Sequence, residues 1–313
     1  MEVKRTPGKS LLNSVIGWFD KGKFSEENPE ESHQTDWLGM VPFILIHVSC
    51  LGILWVGWSF TAVMVAISLY FIRMFAITGF YHRYFSHRTF KTSRWGQFIF
   101  AILGNSAVQK GPLWWAAHHR DHHRFSDKKG DIHSPHLQGL YWSHVGWITS
   151  RANFRTKLEN VKDLAKFPEL RFLDRFDVLV PTFLASGLFA LGYLLNIAFP
   201  ELGTSGPQLL VWGFVVSTVV LFHGTFTINS LSHLFGRRRY QTTDESRNNW
   251  ILALITLGEG WHNNHHHFPA STRQGFFWWE VDITFYVLRF LAFLGIVWDL
   301  KGVPAHVRAA ERL

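Results

Sequence analysis

Four long apolar runs constrain this chain more than any other feature of its sequence. They cover residues 38–56, 60–80, 176–199 and 208–228. An α-helix rises 1.5 Å per residue, so about 20 apolar residues cross the roughly 30 Å hydrocarbon core of a bilayer. Short connections join the first run to the second and the third to the fourth. The pattern therefore predicts four transmembrane helices arranged as two antiparallel hairpins.

Basic residues predict how these helices are oriented. The chain has 31 Lys and Arg residues against 23 Asp and Glu, a net charge of +8. The two short connections contain no Lys or Arg, and almost all basic residues lie in the N-terminal arm and in two polar sections, 81–175 and 229–313. Basic loops favour the cytosolic side of a membrane. We therefore expect the termini and both polar sections in the cytosol, and we attribute the charge to topology and not to nucleic-acid binding.

These features together predict an all-α, multi-pass integral membrane protein with two parts. Residues 1–36 form a polar N-terminal arm, with a short amphipathic helix near residues 11–19 and an acidic patch at residues 26–31. Residues 37–313 form a single membrane domain, in which the two polar sections make a cytosolic helical cap.

Two further apolar stretches are not expected to cross the membrane. Residues 98–108 are too few for a span, and residues 276–300 contain Glu280, Asp282 and Arg289. We expect the first at the interface or inside the cap, and the second as an interfacial helix rich in aromatic residues.

Histidines concentrated in the polar sections indicate a metal site. The triads 119/122/123 and 262/265/266 stand at i, i+3 and i+4, which places three imidazoles on one face of a helix. Two paired sites follow the second and fourth apolar runs. Imidazole nitrogens bind transition metals. The candidate ligands are therefore His82, His87, His119, His122, His123, His233, His262, His265 and His266, and Asn229 could add an oxygen directly or through water.

The number and kind of these ligands indicate which metals they hold. Nine imidazoles exceed the four ligands of a tetrahedral zinc site but suit two metals with five or six ligands each. The chain has one cysteine, which excludes a cysteine-based cluster. The four segments also lack the oxygen-rich ligand set that magnesium or calcium prefers. Imidazole ligands fit Zn, Cu, Fe and Ni. Two adjacent metals without a carboxylate-rich ligand set point to redox-active iron more than to magnesium or calcium, and we expect them where the cap meets the membrane.

Four side chains next to these ligands are expected to hold them in place. A metal-bound imidazole donates its second ring N–H to a carboxylate or another acceptor. Asp121 and Glu259 are the carboxylates within or beside the triads, and His118 and His267 flank the triads. We expect these four side chains to contact the ligand histidines.

The residues around these histidines resemble the membrane fatty-acid desaturases, in particular the Δ9, stearoyl-CoA desaturase-like branch. The matching stretches are HRYFSH at 82–87, HRDHH at 119–123, NSLSH at 229–233 and GEGWHNNHH at 258–266. SHVGW at 143–147 is also similar to a segment of that family. The resemblance runs from about residue 38 to residue 305.

This resemblance implies an oxidoreductase of the acyl-CoA or acyl-lipid Δ9-desaturase type. It implies two Fe²⁺ ions, held by the nine histidines with Asn229 acting through water. It also implies O2 as co-substrate for introducing a cis double bond into a saturated long-chain acyl group. It also implies a kinked hydrophobic tunnel that presents one pair of C–H bonds. Trp115, Trp142, Trp147 and Trp261 are candidates for lining this tunnel, with anchoring at the membrane interface or packing in the core as the equal alternative.

The resemblance also implies partners and a location. Electrons would come from a separate ferredoxin-, rubredoxin- or cytochrome b5-like protein, since no haem-binding donor domain is recognised in the sequence. The other partners are the acyl substrate and membrane lipid. The compact chain fits a bacterial enzyme of the inner membrane with a cytosolic active site.

Two other functions fit parts of the pattern. A related membrane di-iron hydroxylase of fatty acyl or alkyl chains, which returns oxygen to carbon instead of removing a second hydrogen, would use the same ligands. A membrane metal transporter or sensor needs polar ligands along a path inside the spans. The candidate histidines lie at or beyond the ends of the spans, which disfavours transport.

Overall fold

The computed structural model describes residues 11–22 and 35–310. The acidic patch expected at residues 26–31 lies outside the described residues. The longer helices are α1 (Leu11–Phe19), α2 (Val41–Val56), α3 (Phe60–Ser86), α4 (Arg94–Asn105), α5 (Pro112–Phe125), α6 (Pro168–Arg175), α7 (Leu179–Ala198), α8 (Gly206–His233), α9 (Trp250–Ile255), α10 (His262–His267) and α11 (Ile283–Phe293). The described chain is therefore mostly helical, as the sequence predicts.

Shorter elements connect these helices. Single helical turns occur at Pro135–Gln138, Trp142–Gly146, Trp147–Thr149, Arg151–Asn153, Leu158–Asn160, Lys162–Ala165, Pro200–Leu202 and Ala305–Arg308. Strands β1 (Lys91–Thr92) and β2 (Val297–Trp298) pair in antiparallel register, with Lys91 opposite Trp298. This strand pair joins the first polar section to the second.

Among the described residues, three helices are long and apolar enough to cross a membrane. They are α3 with 27 residues, α7 with 20 and α8 with 28. Helix α2 is apolar but shorter, about 24 Å at 1.5 Å per residue, and a 3₁₀ turn at Ser49–Gly52 interrupts it. The first predicted span, 38–56, is thus shorter as a helix, and a fourth crossing stays a prediction.

The outward faces of these helices expose large apolar side chains. Leu54, Trp55, Phe60 and Phe183 expose 79%, 80%, 74% and 75% of their surface. Water would disfavour so much exposed apolar surface, whereas the hydrocarbon core of a bilayer accommodates it. The exposed faces of α2, α3 and α7 therefore suit contact with lipid.

Polar contacts fix α3 against α8. Arg73 on α3 is 1% exposed and donates hydrogen bonds to the hydroxyls of Ser217 and Thr218 on α8. It also donates to the carbonyl of Ser106. A buried guanidinium without acceptors would be costly, so these bonds set how the two helices face each other and the cap.

The two polar sections fold together at the ends of α3 and α8. Their shared core includes Phe80, Phe100 and Leu288. The predicted stretch 98–108 forms the second half of α4 and the turn after it. The predicted helix 276–300 is wrong in extent, because only Ile283–Phe293 is helical and β2 follows.

Part of the N-terminal arm packs against this domain. The predicted amphipathic helix is α1, and its Trp18 indole N–H donates to the Leu38 carbonyl at 3.2 Å. Arg175, at the end of α6, donates to both carboxylate oxygens of Asp20 at 2.8 Å. These contacts hold α1 beside the start of α7.

Candidate metal centre

Nine histidines of the two polar sections converge in two groups. The five-nitrogen group contains His82, His87, His119, His123 and His265, and the four-nitrogen group contains His122, His233, His262 and His266. Within each group, the nearest ring nitrogens all lie within 4.8 Å of one another. These are the nine residues that the sequence predicts as metal ligands.

Helical spacing explains how the triads divide between the groups. On α5, His119 and His123 are separated by four residues and belong to the five-nitrogen group, whereas His122 belongs to the four-nitrogen group. Helix α10 divides its triad the other way, with two histidines in the four-nitrogen group and one in the five-nitrogen group. Each triad therefore serves both groups, which places the groups side by side.

The ends of α3 and α8 supply the remaining histidines. His82 lies in the last part of α3, where the helix widens to π-helical geometry at Ala76–Ser86, and His87 follows it. His233 is the last residue of α8. Two helices that are long enough to cross a membrane thus end at the candidate centre.

The Nε2 atoms of the five-nitrogen group approach one another as ligands of one ion would. The distances are 2.8 Å for His87–His119, 3.1 Å for His119–His123, 2.9 Å for His123–His265 and 3.0 Å for His82–His265. A ring nitrogen carries at most one proton, so one that contacts two others cannot donate a linear hydrogen bond to both. A cation among these nitrogens would satisfy all five.

The four-nitrogen group contains unsatisfied nitrogens. His233 and His262 approach through their Nε2 atoms at 3.0 Å, and the buried Nε2 of His266 has no hydrogen-bond partner among the described residues. Buried polar atoms without a partner are rare in proteins. A metal ion would complete this group, so both donor sets fit metal ions.

Burial favours the neutral form of these histidines. Burial, followed by the charge of neighbouring imidazoles, holds the pKa of His119, His123, His262 and His265 well below its usual range. Metals bind the neutral imidazole. The surroundings therefore keep these side chains ready to bind a metal.

Aspartates contact the outer nitrogen of three histidines in the four-nitrogen group. The Nδ1–oxygen distances are 3.3 Å for His122–Asp131, 2.8 Å for His233–Asp127 and 2.7 Å for His266–Asp244. An acceptor at Nδ1 holds the proton there and directs the lone pair of Nε2 into the group.

In the five-nitrogen group, Glu259 contacts the outer nitrogen of a ligand histidine as the aspartates do in the other group. Its carboxylate contacts Nδ1 of His82 and accepts from Nη2 of Arg83 at 3.0 Å. Arg83 also donates to Asp282 at 2.9 Å, and all of these side chains are buried. The Glu259 contact is one that the sequence predicts.

Asp121, the other predicted carboxylate, forms its hydrogen bonds with residues other than the ligand histidines. It accepts from Lys157 Nζ at 2.6 Å and from Asn160 at 2.8 Å. On α5 it stands two residues after His119 and one before His122, and neighbours at those spacings do not share a helix face. The prediction that Asp121 holds a ligand histidine is therefore wrong.

His118 and His267 also lie away from the histidine groups. Nδ1 of His118 contacts the Trp114 carbonyl at 2.9 Å. The ring of His267 stacks on Tyr240 with centroids 4.1 Å apart. Each directly adjoins a ligand in sequence, so it lies on a different helix face. Neither has the predicted contact with a ligand histidine among the described residues.

The sequence interpretation missed Asp127, Asp131 and Asp244. The first two follow the α5 triad within one loop, so their closeness in sequence was a usable signal. Asp244 lies 22 residues before its partner His266. No spacing rule connects that pair, because the contact depends on how the loop after α8 folds back.

Two cavities adjoin the histidine groups. The larger, of about 240 Å³, includes Trp115, His119 and Asn229 in its wall. The smaller, of about 30 Å³, is lined by Asn229 and by histidines of both groups. Asn229 therefore lines both spaces, a position that suits its predicted role through water.

Only two of the four predicted tunnel tryptophans line the larger cavity. Trp115 and Trp147 are in its wall. The indole N–H of Trp142 instead donates to the Ile132 carbonyl at 3.0 Å, and that of Trp261 to the Val281 carbonyl at 2.8 Å. Trp142 and Trp261 are thus not in the wall of this cavity, and a tunnel role for them stays a prediction beside the structural alternative.

The wall of the larger cavity is mainly apolar with a charged part. Apolar wall residues include Phe43, Ile46, Val178, Pro181, Phe222 and Phe226. Lys21, Lys110 and Asp177 also line the cavity, with Trp18 from α1. Such a space suits a ligand with an apolar chain and a polar head.

Comparison with known proteins identifies the family. A family model described as fatty acid desaturase matches residues 53–292, more than half of the chain. The chain is 38% identical to an acyl-CoA 5-desaturase of Anemone leveillei, over 84% of this chain and 78% of that protein. It is 39% identical to a chloroplastic palmitoyl-monogalactosyldiacylglycerol delta-7 desaturase of Arabidopsis thaliana, over 78% of this chain and 63% of that protein.

A cyanobacterial relative is equally similar. The chain is 38% identical to an sn-1 stearoyl-lipid 9-desaturase of Synechocystis, over 87% of this chain and 82% of that protein. The family model and the three relatives agree with the resemblance carried by the histidine motifs. The chain therefore belongs to the fatty acid desaturase family.

Proposed function

We propose that this oxidoreductase is an O2-dependent di-iron desaturase that introduces a cis double bond at the 9 position of a saturated long-chain acyl group. The observation that carries the proposal is the convergence of nine imidazoles in two groups beside a mainly apolar cavity. The relatives are named for the 5, 7 and 9 positions. We favour the 9 position because the stretches at 82–87 and 229–233 resemble the Δ9 branch.

The donor set supports two iron ions. The five-nitrogen group would hold one, and the four-nitrogen group would hold the other, with Asn229 acting through water. All-imidazole donors suit iron, whereas magnesium and calcium prefer oxygen ligands. When bound, the irons would supply the activation of O2 that removes one hydrogen from each of two adjacent methylenes.

The residues of the cavity would select which methylenes react. Burial of an acyl chain is favourable by about 0.8 kcal/mol per methylene, but this gain does not distinguish one methylene from the next. Gln109 Nε2 donates to Thr225 Oγ1 at 3.0 Å, and both side chains line the cavity with Trp115. This bond would stiffen the wall beside the histidines, against which one pair of C–H bonds would be held in reach.

The proposed reaction requires partners beyond the acyl chain. Forming one double bond and two waters from O2 consumes two electrons and two protons in addition to the two hydrogens removed. We propose a separate ferredoxin-, rubredoxin- or cytochrome b5-like electron donor and an acyl group carried by CoA or by lipid. We further propose a multi-pass protein with its centre on the cytosolic side; a bacterial inner membrane stays a prediction from the sequence.

Expression in a desaturase-deficient host tests this function. We expect unsaturated fatty acids to appear, with the cis double bond located at the 9 position by mass spectrometry. Because His265 contributes to the five-nitrogen group, His265→Ala should abolish the product while the protein still accumulates in the membrane. Purified wild-type protein should contain about two irons per chain, since the nine donors suit two ions.

His306 provides the matched control because it is exposed and outside both groups. His306→Ala should keep the product and the iron content. A hydroxylated product would contradict desaturation, and unchanged activity in His265→Ala would contradict the ligand assignment.

A further inference from the structure

The two histidine groups have unequal surroundings. In the four-nitrogen group, three of four histidines contact an aspartate through Nδ1. In the five-nitrogen group, the described residues provide one such contact, between His82 and the carboxylate of Glu259. The four-nitrogen group therefore has three carboxylates behind its ligands and the five-nitrogen group has one.

The charge of these carboxylates is also compensated differently. Glu259 accepts from Nε and Nη2 of Arg83, whose buried guanidinium also binds Asp282, so the negative charge of Glu259 is partly offset. Asp127, Asp131 and Asp244 form no ion pair with Lys or Arg within residues 11–22 and 35–310. Their partners besides histidine are neutral donors, such as the Ser134 hydroxyl for Asp127. Three uncompensated negative charges thus stand behind the four-nitrogen group.

Depth adds to this difference. Three of the four histidines in the four-nitrogen group are buried, whereas three of the five in the other group are partly exposed. Interactions between charges are stronger where water is excluded. The attraction between the aspartates and an ion in the four-nitrogen group would therefore be stronger, and that ion would exchange less readily with solvent.

We propose that the two metal positions are inequivalent, and that Asp127, Asp131 and Asp244 make the four-nitrogen position the tighter one. This inference rests on the proposed di-metal function. An acceptor at Nδ1 increases electron donation from Nε2 to a metal, and removing such an acceptor typically weakens binding by roughly 10- to 100-fold. The extra imidazole of the five-nitrogen group adds a neutral donor, whereas each aspartate adds a negative charge. These aspartates are positioning residues, because they act on the metal through histidine.

Stepwise removal of iron tests the inference without using activity. Purified full-length protein, loaded with Fe²⁺ under anaerobic conditions, is titrated with a chelator, and the retained iron is measured by elemental analysis. Wild type should lose its two irons in separate steps. Asp244→Asn should lower the chelator concentration of the second step by roughly 10- to 100-fold and leave the first step unchanged.

Two variants provide the comparison. Glu259→Gln should shift only the first step, because Glu259 serves the five-nitrogen group. Asp121→Asn should shift neither, because Asp121 lies on α5 among the ligands but binds Lys157 and Asn160. If Asp244→Asn does not fold, Asp127→Asn replaces it, with the same expected shift.

The outcomes separate this inference from the proposed function. Release of both wild-type irons in one step, or a shift of the first step by Asp244→Asn or Asp127→Asn, would overturn the inequivalence. An equal shift of the second step in Asp121→Asn would contradict the claim that the histidine-bound aspartates make the four-nitrogen position tighter. Folded wild-type protein that binds no iron would instead contradict the di-iron function itself.

Discussion

Lys110 places an ammonium group in the wall of the larger cavity. Its ammonium lies 4.8 Å above the ring of Phe154, and no described residue accepts a hydrogen bond from it. Its backbone has a φ of 67°, which is uncommon for a residue other than glycine. Burial, followed by the charge of Lys21, lowers the pKa of Lys110 to about 7, although Asp177 and Asp174 oppose this shift. We expect this group to hold the carbonyl oxygen of the bound acyl group.

The pH dependence of KM tests this role of Lys110. Below pH 7 the side chain is a charged donor, and above pH 7 it loses the proton, so KM should rise several-fold as pH increases through about 7. Lys110→Arg should keep the charge and flatten this dependence, because arginine stays protonated. Lys110→Met should have a high KM throughout.

Steady-state kinetics from pH 6 to pH 8 provide the measurement. Lys91→Met is the control, because Lys91 is exposed and pairs with Asp299 away from the cavity. A wild-type KM that stays constant across this range would contradict the assignment.

Single residues also show what the sequence could and could not predict. The i, i+3, i+4 spacing predicts both triads because it depends only on helix geometry, and the structure places them in two compact groups. The partner of His266 could not be predicted, since Asp244 reaches it only after a loop folds back. Asp121 is close to the ligand histidines in sequence but lies on a different face of α5, where it binds Lys157 and Asn160.

Among the elements, α3 and α4 meet at a contact that supports the candidate centre. A Cβ on Gly104 of α4 would lie 2.0 Å from Cε1 of Tyr81, which is fully buried on α3 and precedes His82. Tyr81 cannot move without displacing its neighbours. The absence of a side chain at residue 104 therefore allows α4 to approach the end of α3 that carries the histidines.

Gly104→Ala should destabilise the protein through this contact. Overpacking a buried contact typically costs about 1–3 kcal/mol, so the melting temperature in detergent should fall and iron content should decrease as His82 shifts. Gly187→Ala is the matched control, since Gly187 is also helical but has nothing within 4 Å of a built Cβ. Alanine there should be neutral or stabilising by up to about 1 kcal/mol. Equal effects of the two substitutions would contradict the packing argument.

Hydropathy predicted the existence of the long helices better than their ends. Helices α3 and α8 continue as helix past the predicted ends at residues 80 and 228, to Ser86 and His233. Hydropathy did not reveal this because the extensions are polar and contact the cap. For the run 276–300, hydropathy predicted a helix that is too long. A turn at Gly295, with a φ of 72°, follows the helix although the residues after it are apolar.

For the whole molecule, both the family and the long apolar helices indicate a membrane protein. The number of membrane crossings depends on whether α2 spans the bilayer. Helices α3, α7 and α8 are long enough to span a bilayer. If α2 also crosses, an even number of spans places the arm and both polar sections on one side. If it does not, the arm lies on the opposite side from the cap. The basic residues of the arm and cap favour a common cytosolic side.

Cysteine labelling resolves this choice because the chain has one native cysteine, Cys50. In a Cys50→Ser background, single cysteines replace Trp37 and Trp58, which flank α2 and are each 71% exposed. Glu201→Cys, between α7 and α8, and Lys129→Cys, in the cap, give reference positions on the two sides. A membrane-impermeant maleimide is applied to intact cells and then to permeabilised cells.

Four crossings predict that the cysteines at 58 and 201 react in intact cells, because both connections would lie outside the cytosol. The cysteines at 37 and 129 should react only after permeabilisation, as the basic sections should stay in the cytosol. Reaction at 37 in intact cells, with 129 still protected, would show that α2 does not cross. Three crossings would then place α1 and the cap on opposite sides of the bilayer. The contact of Asp20 with Arg175 could not form across it, so the ion pair itself favours four.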